Sequence, residues 1–147
     1  MKPRTKARSL ALQALFEIDL TDHPAGTVLD ARFAETPLEK RLEAFARQIV
    51  LGVAPIREDL DRFIADHAPD WPIDQVSSID RNLLRIALWE FAVKGDTPIK
   101  VAINEAIELA KKFGSDSTPR FVNGVLGSLA DRQNEIRQAL KLAKEND

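Results

Sequence analysis

The stretch TPIKVAINEAIELAKKFG, residues 97–114, contains every signal that defines one α-helix. Thr97-Pro98 is typical of a helix start, because proline fits the first turn, where its missing N–H would have had no partner. Gly114 is typical of a helix end. Between these two signals, apolar residues recur at steps of three and four, which predicts one buried face. The face consists of Ile99, Ile103, Ala106, Ala110 and Phe113.

The same periodicity predicts helices in the first part of the chain. A helix over residues 4–20 has an apolar face, and a short helix follows over 27–35. Thr36-Pro37-Leu38-Glu39 predicts a third helix start, with Thr36 as the cap and Glu39 completing a capping box. Its apolar run continues to Phe63, with a kink expected near Gly52–Pro55 because proline removes a helical hydrogen bond. The face of the first helix consists of Ala7, Leu10, Ala11, Ala14, Leu15 and Ile18.

Two further helices are predicted in the second part of the chain. Ser78 is expected to cap a helix that runs to Lys94 and ends at Gly95 in the left-handed conformation. Thr118-Pro119 begins the last helix, whose apolar face continues through residues 121–140. Gly124 and Gly127, inside this helix, are expected to allow another helix to approach closely.

Six predicted helices and no stretch of β alternation indicate an all-α fold. Prolines and aspartates crowd residues 67–72, which predicts a boundary there. We therefore expect two small three-helix bundles packed together, one over residues 1–69 and the other over 70–147.

Composition excludes several classes of protein. The chain has 147 residues, 44% of them hydrophobic and 30% charged, which is typical of a globular domain. No apolar run approaches the roughly 18 residues of a membrane span, and the first residues lack the apolar core of a secretory signal. Cysteine is absent, so disulfides and cysteine metal sites are excluded. We expect a cytoplasmic protein that does not associate with a membrane.

Catalytic signatures are missing as well. The two histidines, His23 and His67, lie far apart in predicted loops, and no HExxH, EF-hand or phosphate-binding glycine loop occurs. The carboxylates lie mainly on polar helix faces. We therefore expect no enzymatic activity, no cofactor and no metal site.

The first eight residues form a basic arm of Lys2, Arg4, Lys6 and Arg8. A net charge of −2 in total and +4 over the arm leaves −6 for the rest of the chain. Each cation can neutralise a phosphate of a nucleic acid and release counterions. A solubilising terminus is the alternative interpretation of this cluster.

A second group of cations lies in the second part of the chain. Arg81 and Arg85 are one helical turn apart. Lys100 and Arg120 each follow a Thr-Pro start, in a first turn, where the helix dipole disfavours a cation. This placement favours an anionic ligand. Phe121 is either a core residue, which its spacing favours, or a platform on which a base stacks.

Five segments together resemble the NusB family. They are AR and ALQALF at residues 7–8 and 11–16, IDRNLLRIA at 79–87, VAINEAIELAKKFG at 101–114 and FVNGVL at 121–126. The resemblance extends over nearly the whole chain and is most specific over residues 79–126. Residues 22–75 match mainly in length and pattern.

This resemblance implies a function in processive transcription antitermination. Family members pair with the small-subunit ribosomal protein NusE and bind boxA, a single-stranded element of nascent RNA. The complex joins RNA polymerase and other Nus factors, notably on ribosomal RNA operons. A member of the family is either a monomer or a homodimer.

The resemblance also assigns functions to single residues. The basic arm corresponds to an arginine-rich RNA-binding motif, diluted here by Lys6 and Thr5, which implies weaker RNA binding or more dependence on the partner. Arg120 and Phe121 correspond to a basic–aromatic pair near the RNA. The partner surface is implied to include Phe16, Asp80 and Ser117, which stand where relatives often have tyrosine, an acid and, in some cases, aspartate.

Two other functions fit the sequence. One is a NusB-like RNA-binding module of a ribosomal RNA methyltransferase, although such modules precede a catalytic domain and this sequence has no cofactor loop. The other is a dimerisation module that does not bind RNA. For Asp80 in particular, a helix-capping function is the alternative to a partner contact.

Overall fold

The computed structural model describes residues 1–67 and 76–146, and all regular structure within these ranges is helical. The predicted all-α fold is confirmed. None of the described helices is long and apolar enough to cross a lipid bilayer. The α-helices are α1 (Pro3–Thr21), α2 (Ala25–Glu35), α3 (Lys40–Val53), α4 (Arg57–His67), α5 (Ser78–Leu88), α6 (Ile99–Phe113), α7 (Thr118–Ala130) and α8 (Gln133–Asn146).

The first compact unit, Met1–Ile56, consists of α1, α2 and α3. The predicted face of α1 is confirmed, because all six of its residues are at most 5% exposed. They pack with Ile49, Val50 and Val53 of α3, which are fully buried. Burial of apolar side chains, which contributes about 0.8 kcal/mol of free energy per methylene group, is the main favourable contribution to the stability of this small bundle.

The predicted start of α3 is wrong. Thr36 does not cap this helix, because its N–H donates to the carbonyl of Arg32 and closes α2. The chain then continues for three residues, and α3 begins at Lys40, with Glu39 at the cap position and no side-chain cap. Thr36 therefore belongs to the end of α2 and is not available to cap α3.

The expected interruption near Pro55 is present. The α-helix ends at Val53, and a single 3₁₀ turn over Ala54–Ile56 follows before α4 begins. Proline has no N–H to donate and cannot continue the α-helical ladder. The two compact units divide at this turn, Met1–Ile56 and Arg57–Asp147. The predicted boundary between residues 69 and 70 lies outside the described residues.

The second compact unit is built around α5. Ser77 caps this helix rather than Ser78, because the Ser77 hydroxyl accepts from the N–H of Asp80 at 3.2 Å. The helix continues as a π-helical turn over Trp89–Lys94 and ends, as predicted, at Gly95 with φ of 78°. Every residue over 82–92 is buried, so α5 and its π-turn form the centre of this unit.

The last predicted helix is divided in two. The chain turns at residues 131–132, between α7 and α8, although Ile136 and Leu140 of α8 are buried as the apolar pattern predicts. The π-turn fixes α8, because the carbonyl of Phe91 accepts from Gln133 Nε2 and Arg137 Nη2, both at 3.0 Å. Among the described residues the second unit thus contains five α-helices, where the sequence predicted three.

The expected close approach at Gly124 and Gly127 is wrong. A Cβ built at either position meets no atom within 4 Å, and both residues are exposed on α7. The close approach occurs instead at Gly114, where a Cβ would lie 2.5 Å from both Cβ and Cγ2 of Thr118. Thr118 is 1% exposed and cannot swing into solvent.

Alanine substitutions at Gly114 and Gly127 should therefore have opposite effects on the free energy of unfolding. Gly127→Ala removes a flexible residue from a helix and should stabilise the protein by up to about 1 kcal/mol. Gly114→Ala forces Thr118 to move and should destabilise it by about 1–3 kcal/mol. Urea denaturation of both variants measures the difference, and equal shifts for the two would contradict the packing at Gly114.

Candidate nucleic-acid interface

The basic arm does not present four cations to solvent. Lys2, Arg4 and Lys6 are exposed, but Arg8 is only 3% exposed. The burial of its side chain argues against the predicted contact of Arg8 with RNA. Three cations of the arm remain accessible to a ligand.

The three arm cations that belong to α1, which are Arg4, Lys6 and Arg8, lie on two sides of the helix. At about 100° per residue, Arg4 and Arg8 lie on one side and Lys6 lies about 160° around the helix from Arg4. Lys6 shares its side with Gln13 and Glu17, which accept hydrogen bonds from Arg32 of α2 at 3.2 Å each. The spacing along the sequence suggested one cluster, whereas the helix separates it into two.

Arg4 and Arg8 converge on Phe45 of α3. Their guanidinium carbons lie 4.6 Å and 5.1 Å from the centroid of the phenyl ring. Both distances are within the range of a cation–π interaction. Phe45 is 9% exposed and packs in the unit formed by α1, α2 and α3. The sequence does not indicate this function of Phe45, because no local pattern connects a residue of α3 with the arm.

Phe16 lies further along α1 and is half-buried. Leu20, one turn later on the same side, is 64% exposed. The two residues form a small apolar patch on α1. Such a patch is compatible with the implied partner contact of Phe16, which stays a prediction.

Asp80 and Ser117, the two other implied partner residues, lie in one hydrogen-bonded cluster of the second unit. Asp80 Oδ1 accepts from Thr118 Oγ1 at 2.9 Å, and Thr118 Oγ1 in turn accepts from the N–H of Ser115 at 2.9 Å. The hydroxyls of Ser115 and Ser117 are 3.2 Å apart. Asp80 thus attaches the start of α5 to the loop before α7.

The alternative in which the side chain of Asp80 caps α5 is wrong. The side chain of Asp80 does not cap α5, since Ser77 does so. Oδ1 of Asp80 holds Thr118, and no hydrogen bond to its Oδ2 is present among the described residues. One carboxylate oxygen is therefore structural, and the other is available to a partner.

Lys100 and Arg120 are exposed in the first turns of α6 and α7, as predicted. Neither has an ion pair within residues 1–67 and 76–146. Phe121 follows Arg120 and is half-buried, whereas its neighbour Val122 is fully buried. Part of the Phe121 ring is therefore accessible, and both interpretations of this residue stay open.

Arg85 is structural rather than accessible, and Arg81 is half-buried and bonded to the backbone. Arg85 is 4% exposed and donates from Nε and Nη2 to both carboxylate oxygens of Asp61 on α4, at 2.8 Å and 2.6 Å. Arg81 Nη2 donates to the carbonyl of Val76 at 2.8 Å. Arg85 therefore does not belong to the candidate interface. No group of three or more histidine or acidic side chains that could hold a metal ion occurs among the described residues.

Two substitutions of Asp80 should separate its structural oxygen from its charge. Asp80→Asn keeps an acceptor for Thr118 and should change the free energy of unfolding by less than about 0.5 kcal/mol, as expected for a site away from the core. Asp80→Ala removes the acceptor and should cost about 1–3 kcal/mol, because the Thr118 hydroxyl is buried. Equal losses in urea denaturation would contradict the role assigned to Oδ1.

Comparison with known proteins supports the resemblance seen in the sequence. The transcription antitermination protein NusB of Chloroflexus aggregans is 46% identical over 138 residues, covering 92% of each chain. NusB of Bacillus subtilis is 42% identical over 139 residues, covering 95% of this chain and all of the relative.

A similar chain also occurs in a solved crystal structure of the antitermination factors NusB and NusE in complex with dsRNA. It superposes with a TM-score of 0.78 at 25% identity, covering 95% of this chain and 98% of the other. The sequence pattern that defines the NusB family matches residues 5–131. With a helical fold of the same kind and a family pattern over most of its length, this chain belongs to the NusB family.

Proposed function

We propose that the protein is a transcription antitermination factor that binds boxA RNA together with the ribosomal protein NusE. In this function it joins RNA polymerase and other Nus factors, notably on ribosomal RNA operons. The observation that carries the proposal is the similarity, along 95% of the chain, to a chain solved in a complex of the antitermination factors NusB and NusE with dsRNA. The protein acts by binding, without catalysis, in the cytoplasm.

The exposed cations supply the contacts to phosphate. In the first unit these are Lys2, Arg4 and Lys6, and in the second they are Lys100 and Arg120. Phosphate contacts position an RNA but do not specify its sequence. Sequence is read on the edges and faces of unstacked bases, for which the accessible part of Phe121 provides a stacking surface. These features favour a single-stranded RNA.

Contacts to the partner use the half-buried ring of Phe16 in the first unit and, separately, the second carboxylate oxygen of Asp80 and the Ser117 hydroxyl in the second unit. An acid at position 117 would repel phosphate, so serine favours RNA there. Because the chain outside the arm has a net charge of −6, it has little surplus positive charge for tight RNA binding. A basic ribosomal partner would supply the missing phosphate contacts.

Neutralising single residues of the arm tests how it binds. Arg4→Gln should weaken binding to every RNA sequence and reduce the slope of log Kd against log salt by about 0.7, the value for one phosphate contact of a single strand. Arg8→Gln should leave this slope unchanged, because Arg8 is buried. Binding is measured at a temperature at which both variants are folded. A slope reduced equally by both would show that Arg8 contacts RNA.

Adding NusE should increase RNA affinity at least tenfold, which requires only about 1.4 kcal/mol. The measurement is a titration of a boxA-like single strand with the protein alone, NusE alone and the mixture. Asp80→Asn, which preserves the bond to Thr118, should lower the affinity for NusE and reduce this gain.

Two controls complete the titration. The same RNA in double-stranded form tests whether a single strand is preferred. A mixture that binds no more tightly than the better single protein would contradict the composite surface, and a protein that binds neither RNA nor NusE would favour the dimerisation module.

A further inference from the structure

Phe45 is placed to control the geometry of the basic arm. Its ring lies 4.6 Å from the guanidinium carbon of Arg4 and 5.1 Å from that of Arg8. The ring belongs to α3 and is buried, whereas Arg4 is in the first turn of α1 and is exposed. A fixed part of the bundle thus holds a cation at the accessible end of another helix.

The contact leaves the hydrogen-bonding capacity of Arg4 intact. A cation–π interaction uses the positive charge of the guanidinium and consumes none of its five N–H donors. No hydrogen bond or ion pair to Arg4 is present within the described residues. Arg4 is therefore held in position with its donors available to a phosphate.

Holding a side chain before binding lowers the entropy that is lost on binding. A free arginine side chain has many rotamers, and immobilising it opposes association. Arg8, buried on the same side of α1, cannot reach a phosphate but contacts the same ring. It therefore helps to fix the stretch of helix from which Arg4 projects.

We propose that Phe45 is a positioning residue for RNA binding, which acts by holding Arg4 in the orientation that meets a phosphate. This inference rests on the proposed RNA-binding function and adds a residue that does not itself touch RNA. It predicts that Phe45 affects RNA affinity only through Arg4.

A second arginine–phenylalanine contact in the same unit provides a matched control. The guanidinium carbon of Arg47 lies 5.1 Å from the ring centroid of Phe33, which is 7% exposed, compared with 9% for Phe45. Arg47 is also paired with Asp30 at 3.1 Å and Glu43 at 3.5 Å. Phe33→Leu thus removes a ring of similar burial that lies under a cation outside the arm.

The experiment is a double-mutant cycle on the affinity for a boxA-like single strand. Phe45→Leu, which keeps an apolar side chain, should weaken binding about threefold to tenfold in the wild-type background. In the Arg4→Gln background the same substitution should change affinity by less than about 1.5-fold, because the group it acts through is gone. Phe45→Tyr restores the ring and should restore the affinity, whereas Phe33→Leu should leave it unchanged.

A measurement without RNA tests the contact directly. In the free protein the Arg4 side-chain Hε signal should be displaced by the ring current of Phe45, and the displacement should disappear in Phe45→Leu. An Arg4 signal that is the same in both proteins would overturn the inference. Equal losses of affinity from Phe45→Leu with and without Arg4 would also overturn it. Equal losses from Phe45→Leu and Phe33→Leu would do the same, because they indicate a general effect on the fold. If the wild-type protein shows the displaced signal but binds no RNA, the proposed function fails, and the positioning role fails with it.

Discussion

The second unit depends on an ion pair between the buried Arg85 of α5 and the half-buried Asp61 of α4. Both carboxylate oxygens of Asp61 are engaged, and Nη1 of Arg85 also donates to Asn82 at 3.0 Å. A buried guanidinium left without its carboxylate would cost about 3–5 kcal/mol. The pair therefore fixes where α4 lies against α5, although its net contribution to stability over an apolar pair of equal size is small.

The position of α5 determines the candidate partner surface. The start of this helix places Asp80 against Thr118, and Thr118 holds the loop that begins α7. Arg120 follows two residues later. The Arg85–Asp61 pair thus positions the accessible groups of this region, through the hydrogen bonds that join Asp80 to Thr118 and Thr118 to Ser115.

Local signals predicted the helices well because caps and periodicity act within a few residues. The apolar face of α1, the end of the π-turn at Gly95 and the helix starts before Lys100 and Arg120 all follow from such signals. The prediction at Thr36 was wrong because this residue ends α2 and therefore cannot also cap the start of α3. The prediction of a close helix approach at the glycines of α7 was wrong for another reason. Whether a helix face is covered depends on elements that are distant in the sequence.

The candidate site was less predictable because the sequence gives the charge of a side chain but not its burial. Arg4 and Arg8 have the same charge and lie on the same side of α1, yet only Arg4 is exposed. Phe45 lies 37 positions after Arg8 and Asp61 lies 24 positions before Arg85, so neither contact belongs to a short motif. Tertiary structure thus divides the cations of one sequence into those that are buried in the fold and those that remain accessible to a ligand.

The π-turn over Trp89–Lys94 restricts where the chain can change in length. A π-turn accommodates one more residue than an α-turn and leaves a carbonyl, that of Phe91, for the side chains of Gln133 and Arg137. Deleting one residue there would restore regular α-helical register and withdraw this carbonyl from α8. A change in length would therefore be accommodated in the connections between helices, because the residue count of α5 and its π-turn determines whether the Phe91 carbonyl meets α8.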